Sequence, residues 1–296
     1  MLEKINHKSA PKEVVKALVT LYHQGKFDDV LSRSSQLIEE YPHTFALHNI
    51  IGAISFERGQ KEVAIEHFRK VIELRPHHPH AYNNLGAALI DIGEYEEAKS
   101  NLKKAIELQP DYAEAYNNLG NVYKEMEEYN QAISVYEKAI ELNPQYYEAY
   151  NNLGVALGKN EQYEEAEKVL KQVIKLQPDF VEGHYNLALI FSNICFKKAI
   201  TQLDRIIASN PNNTKLLELK ADYLAEILKI KEACVILIKI LKIEPKNYLV
   251  IAKILQYKKF ENFKDYKFLF DKFKSIINEE FYTITCKKIN PAIALI

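Results

Sequence analysis

The sequence predicts an all-α protein built of tandem antiparallel helix pairs. Three observations carry this. Pro42, Pro76, Pro110, Pro144, Pro178, Pro211 and Pro245 stand 34, 34, 34, 34, 33 and 34 residues apart. Val30, Ala64, Ala98, Ala132, Ala166, Ala199 and Ala233 keep the same steps. Ile51-Gly52, Leu85-Gly86, Leu119-Gly120, Leu153-Gly154 and Leu187-Ala188 form a third series in register with both. Coinciding periods of this length mark an internal repeat.

Each unit reads as two helices. In 113–146, Tyr116, Leu119, Gly120 and Tyr123 lie within one arc of about 100° on a helical wheel. This predicts a first helix over Ala113–Met126. Ala132, Ile133, Val135, Tyr136, Ala139 and Ile140 predict a second over Asn130–Leu142. Gly59 and Gly93 fall between the two helices of their units, where the chain turns tightly. The series proline ends the second helix, because it disfavours helical geometry in the residue before it. Gly86, Gly120 and Gly154 are expected to meet Ala98, Ala132 and Ala166 across the helix pair, both being small so that the backbones can approach.

The segment AYNNLGNVYKEMEEYNQAISVYEKAIELNP, residues 115–144, resembles a tetratricopeptide repeat. The Leu-Gly pair, the alanine twelve residues later and the closing proline carry the resemblance. It is strong over 45–180 and weaker over 11–44, where Leu18 replaces the glycine and Val30 the alanine. It is weaker again over 181–247, where one residue is missing between Ala188 and Ala199 and Lys220-Ala221 replaces Leu-Gly. The resemblance implies an α-solenoid, a right-handed superhelix of helix pairs. It divides the chain into a leader (1–10) and seven units: 11–44, 45–78, 79–112, 113–146, 147–180, 181–213 and 214–247. Neighbour-only stacking makes these one continuous array. Residues 248–296, rich in lysine and aromatics, read as a degenerate helical cap and tail. Leu249–Tyr257 and Asp265–Ile277 show helical apolar spacing, and an apolar patch at this end would favour self-association.

Composition narrows the class. The 296 residues are 47% apolar with net charge −1, which suits a folded chain and gives no overall reason to expect a nucleic-acid or membrane binder. Apolar runs such as Ala233–Ile238 are far too short to cross a bilayer. The charged start MLEKINHKSAPKEVVK shows no secretory signal. Cys195, Cys234 and Cys286 form no C-x-x-C, which fits a reducing compartment and a cytoplasmic protein.

The candidate binding residues lie on the first helices. Glu114, Asn117, Asn118, Asn121 and Glu125 fall on the arc opposite the packed side. By the resemblance, first helices line the concave groove. Asn84, Asn118, Asn152 and Asn186 recur at one repeat position, with Asn49, Asn83, Asn117 and Asn151 at the position before it. A side-chain amide both donates and accepts, so it can pair with any peptide backbone. Similar asparagine ladders hold protein substrate in the repeat arm of O-linked N-acetylglucosamine transferases. The alternative is that these amides bridge adjacent first helices. Glu57, Asp91, Glu114, Glu125, Glu148 and Glu182 on this arc outnumber Lys124 and Lys159. The expected ligand is therefore a neutral or basic polypeptide, not nucleic acid, whose phosphates need cations. The resemblance also argues against the carboxylate-clamp variety, which needs lysines where this chain has Asn83, Asn117 and Asn151.

Other constellations carry little. His77, His78 and His80 crowd one turn but match ordinary turn positions in other units, so no metal is expected. Acids at the start of second helices suit the helix dipole, and Glu167 and Lys171 form an i,i+4 pair. Cys195 reads as a buried small residue. Glycine-rich phosphate loops, nucleophile elbows and H-E-x-x-H are absent from the sequence, so no catalytic residues, metal or cofactor are assigned. The expected function is a non-catalytic scaffold that binds an extended segment. The alternative is the substrate-recruiting arm of a glycosyltransferase- or sulfotransferase-type enzyme whose catalytic domain is absent from this chain.

Overall fold

The computed structural model describes residues 9–257, and every regular element in that range is an α-helix. The chain divides into two compact units, Met1–Asn160 and Glu161–Ile296. The first holds α1 (Lys12–His23), α2 (Phe27–Glu40), α3 (Phe45–Glu57), α4 (Lys61–Leu74), α5 (Pro79–Ile90), α6 (Tyr95–Leu108), α7 (Ala113–Glu125), α8 (Tyr129–Leu142) and α9 (Tyr147–Lys159). The second holds α10 (Tyr163–Leu176), α11 (Val181–Ile194), α12 (Phe196–Ser209), α13 (Thr214–Glu226), α14 (Ile230–Ile243) and α15 (Tyr248–Tyr257). The predicted helix over Asp265–Ile277 lies outside the described residues.

Within each unit, successive helices pack as antiparallel pairs that stack on the next pair. Ala64, Phe68, Leu85, Leu89, Ala98, Leu102, Leu119 and Val122 form one buried cluster across four helix layers of the first unit. Leu217, Ala221, Leu224, Ala233, Leu237, Leu241 and Ile251 form the counterpart in the second. Each helix is too short to be stable alone, so burial of these stripes holds it.

The prolines act as the sequence predicts. Gln109, before Pro110, is extended (φ −141°, ψ 90°) and ends α6. The turns between the helices of a pair are sharper. Gly25, Gly59 and Gly93 are left-handed, with φ of 71°, 74° and 80°. Glu127, Glu161 and Leu228 occupy the same repeat position with φ near 60°, although they carry side chains. The sixth turn has no such residue. There the missing residue is the left-handed one, and Cys195 (φ −165°, ψ 112°) closes α11 and opens α12. Cys195 is therefore half-buried at a helix junction instead of in the core. Backbone amides of Lys198 and Lys197 hold its thiol below the ordinary value.

The glycines of the Leu-Gly pairs do make room, but not for the alanines. A Cβ built on Gly86 would lie 2.6 Å from Leu102, and one on Gly120 would lie 2.4 Å from Tyr136. Gly52 faces Phe68 in the same way, at 2.7 Å. The crowding residue sits one turn beyond the alanine because helical side chains lean toward the N-terminus and cover the preceding turn. The first pair inverts the arrangement. Leu18 fills the glycine position, and Ser34 stands where the others have Phe68, Leu102 or Tyr136. Both are buried, so large and small have exchanged places.

Candidate functional site

The first-helix face of residues 9–160 is built on a run of amide hydrogen bonds. Asn118 donates its Nδ2 to Asn83 Oδ1 at 2.9 Å, and Asn152 donates to Asn117 Oδ1 at 3.0 Å. Each bond joins two first helices 35 residues apart. Asn83 in turn donates to Glu114 Oε1 at 3.1 Å. Asn83, Asn117 and Asn151 are 1%, 6% and 3% exposed. Bridging between first helices accounts for Asn83 and Asn117. Asn84, Asn118 and Asn152 are half-buried. Asn118 and Asn152 each spend one amide hydrogen on the bridge, which leaves a second hydrogen and Oδ1. Asn186, in the other compact unit, is buried.

The series breaks at its start. Asn84 stands where Asn118 and Asn152 stand, but makes no bond to Asn49. Asn49 Oδ1 is buried without a partner. Asn121 is held from behind: the Tyr136 hydroxyl passes through the helix pair and donates to its Oδ1 at 2.7 Å. Burial raises the Tyr136 hydroxyl far above the usual tyrosine range, so it stays a donor. Nearby, burial pushes Tyr146 up to about 12, with Glu114 and Glu148 adding to the effect.

The acids on this face are partly neutralised. Asp91 is paired with Lys61, and Glu125 with Lys124 at 3.1 Å. Glu57 accepts from the Tyr22 hydroxyl at 2.5 Å, a bond that pushes Tyr22 up to about 12. Glu114 is exposed and accepts the Asn83 amide. Glu148 is half-buried and accepts a bond from Tyr147. Glu182 is exposed in the other unit.

Of the turn histidines, His80 is bonded to the Tyr112 hydroxyl at 2.8 Å, and its ring lies against His78 at 5.6 Å. Among the described residues, no three His, Cys, Asp or Glu side chains gather around a metal-sized space.

A different histidine role was missed by sequence reasoning. His48 Nε2 donates to the Pro42 carbonyl at 3.1 Å, and His184 Nε2 donates to that of Pro178 at 2.8 Å. Tyr82, at the same repeat position, donates to the Pro76 carbonyl at 3.1 Å. This position therefore ties α3, α5 and α11 to the turns before them. With Nε2 protonated, His48 Nδ1 accepts from His67 Nδ1 at 3.0 Å, and His184 Nδ1 accepts from Gln202 Nε2 at 2.6 Å. Burial lowers both His48 and His67. The signal was present in the shared spacing of His48 and His184 with Tyr82, Tyr116 and Tyr150.

Among the described residues, no helix is long and apolar enough to cross a membrane. The sequence profile described as "Tetratricopeptide repeat" matches residues 77–145 and 111–179, and one described as "TPR repeat" matches 52–93. No curated protein matches the chain. Among solved structures, MamA is 30% identical, over 54% of this chain and 93% of its own, with a TM-score of 0.49. YrrB, described as a TPR protein with an unusual peptide-binding site, is 26% identical over 64% of this chain and 97% of its own, with a TM-score of 0.50. A tetratricopeptide repeat protein from Parabacteroides merdae ATCC 43184 is 15% identical, covers 84% of this chain and 98% of its own, and shares the fold with a TM-score of 0.65.

Proposed function

The chain belongs to the tetratricopeptide repeat family, whose repeats mediate protein–protein interactions, and from that premise we propose a non-catalytic scaffold that holds an extended polypeptide on its first-helix face. Its working body is the seven-unit array over 11–247. The observation that carries the reading is the bond from Asn118 to Asn83, repeated from Asn152 to Asn117. Each bond fixes one amide and leaves it a donor and an acceptor on a half-exposed face. A backbone bound there meets groups already oriented, which lowers the ordering cost of binding.

In this reading Asn84, Asn118, Asn152 and Asn121, all within residues 9–160, contact the ligand. Asn83, Asn117 and Asn151 are positioning residues. Among the described residues no lysine or arginine pairs with Glu114 or Glu148, which favours a neutral or basic segment. The peptide-binding description of YrrB points the same way.

The test is selection from a displayed library of random linear peptides, followed by fluorescence anisotropy with the winners. Wild type is compared with Asn84→Ala and with Asn118→Ala/Asn152→Ala, each checked by thermal melt. Neutral or basic winners, bound about tenfold more weakly by the folded variants, are expected. Acidic winners that bind more weakly to Asn118→Ala/Asn152→Ala, or neutral and basic winners whose affinities survive all three substitutions, would overturn the reading.

A further inference from the structure

The second-helix side of residues 161–257 carries a charge pattern that packing does not require. Apart from α12 and from α8, which opens without charge, the second helices of this chain open with acids, among them Glu62 in α4, Glu96 and Glu97 in α6, Glu164 and Glu165 in α10. Acids suit that end because it carries the positive pole of the helix dipole. In α12 the positions of Glu164 and Glu165 hold Lys197 and Lys198. Two cations there oppose the dipole.

These lysines rim a cleft of about 570 Å³ between α10, α11 and α12. Lys171 and Arg205 complete the rim, and Glu167 is its one acid. Lys171 and Glu167 bond each other at 2.5 Å and cancel. Asp204, the next acid on α12, is taken by Lys220 of α13. Lys197, Lys198 and Arg205 have no acidic partner among the described residues. Elsewhere the second helices supply one: Lys70–Glu73, Lys104–Glu107 and Lys138–Glu141 recur at the repeat spacing. In α12 the position of those glutamates holds Ala208. Leu187, Phe191 and Ile174 give the cleft an apolar patch beside Thr201 and the mutually bonded His184 and Gln202, and Lys198 lies 5.9 Å from the centre of the Phe191 ring.

We propose that this cleft is a second docking site, for a short acidic polypeptide segment with an aliphatic side chain between its carboxylates. Three uncompensated cations reward carboxylates, and the apolar patch rewards a buried aliphatic group. Phe191 is 8% exposed, so no ring is offered for a nucleic-acid base to stack on. From Lys197 to Arg205 the helix rises about 12 Å, the length of about four extended residues. The site is independent of the asparagine face, and it takes the opposite charge.

Fluorescein-labelled peptides with the core Glu-Glu-Leu-Glu-Glu, Glu-Glu-Gly-Glu-Glu and Lys-Lys-Leu-Lys-Lys test it by anisotropy, with inorganic polyphosphate as competitor. Lys197→Glu/Lys198→Glu restores the acids of α10 and should melt no lower than wild type, so lost binding is not lost folding. Arg205→Ala is the second variant. The expected result is saturable binding of the leucine peptide alone, weakened at least about tenfold in both variants and by raising the salt from 50 to 300 mM. Equal binding by Lys197→Glu/Lys198→Glu, or no saturable binding by wild type, would overturn the proposal. So would a glycine peptide or polyphosphate that binds as tightly as the leucine peptide, since the site would then read only charge.

Discussion

Asn118 donates to Asn83 across two first helices, and the same bond runs from Asn152 to Asn117. The acceptors are buried, so removing one leaves a cavity behind a half-buried donor that has lost its partner. Asn117→Ala is expected to cost about 1–3 kcal/mol in chemical denaturation. Asn84→Ala, with no bond to lose, should cost less than about 0.5 kcal/mol. Equal losses would mean that the bridge contributes nothing to stability.

Gly120 and Gly93 are both required, for different reasons. At Gly120 a methyl group would meet the Tyr136 ring, so Gly120→Ala should cost about 1–3 kcal/mol through overpacking. At Gly93 nothing lies within 4 Å, and only φ of 80° excludes a side chain. Gly93→Ala should cost about 1 kcal/mol through the backbone alone. Tyr136→Ala in each background separates the two causes by urea titration: it offsets the Gly120 defect and leaves the Gly93 defect unchanged.

Leu228 is left-handed (φ 62°) and 82% exposed, so its side chain adds strain and gains little burial. Leu228→Gly should raise stability by about 1 kcal/mol, a rise of a few degrees in a calorimetric melt. A lower melting temperature would show that the leucine contributes a contact that outweighs the strain.

His48 and His67 set a pH dependence. Both are held neutral by burial, below their ordinary value of 6.5. Lys70 opposes a charge on His48, while Glu66, Glu73 and the Pro42 carbonyl favour it. Because the folded values are lowered, the stabilisation is complete above pH 6.5 and is lost as the pH falls through the folded values. Protonated His48 would also turn an N–H toward that of His67. Melting temperature should therefore drop between pH 7 and pH 5. His48→Tyr/His67→Val, which installs the residues of Tyr116 and Val135, should flatten the drop. Identical pH profiles would refute this account.

Much of the fold was legible because a repeated string states the same instruction several times. The expected helices Ala113–Met126 and Asn130–Leu142 match α7 and α8 to within one residue, since Pro110 and Pro144 bracket the pair and its apolar stripes are well defined. The left-handed turns at Glu127, Glu161 and Leu228 were not legible, because nothing in those side chains favours φ near 60°. Pairing glycine with alanine placed two small residues together by position alone, without the lean of the side chain. At the candidate site, the sequence marked the two asparagine columns. It did not tell which column faces inward, because that depends on the rotation of neighbouring helices. The basic cleft was hidden because Lys171 of α10 meets Lys197 and Arg205 of α12 only when both helices pack against α11.

The turn at Cys195 shows where such a chain can change its count. One residue is gone, yet neither helix beside it is shortened: α11 and α12 each span fourteen residues. The joint works with a strained link or with none, whereas a residue lost inside either helix would rotate every side chain beyond it. Insertions and deletions should therefore collect at this joint as the array lengthens by duplication. A unit's length, 33 or 34, then records which kind of joint it inherited.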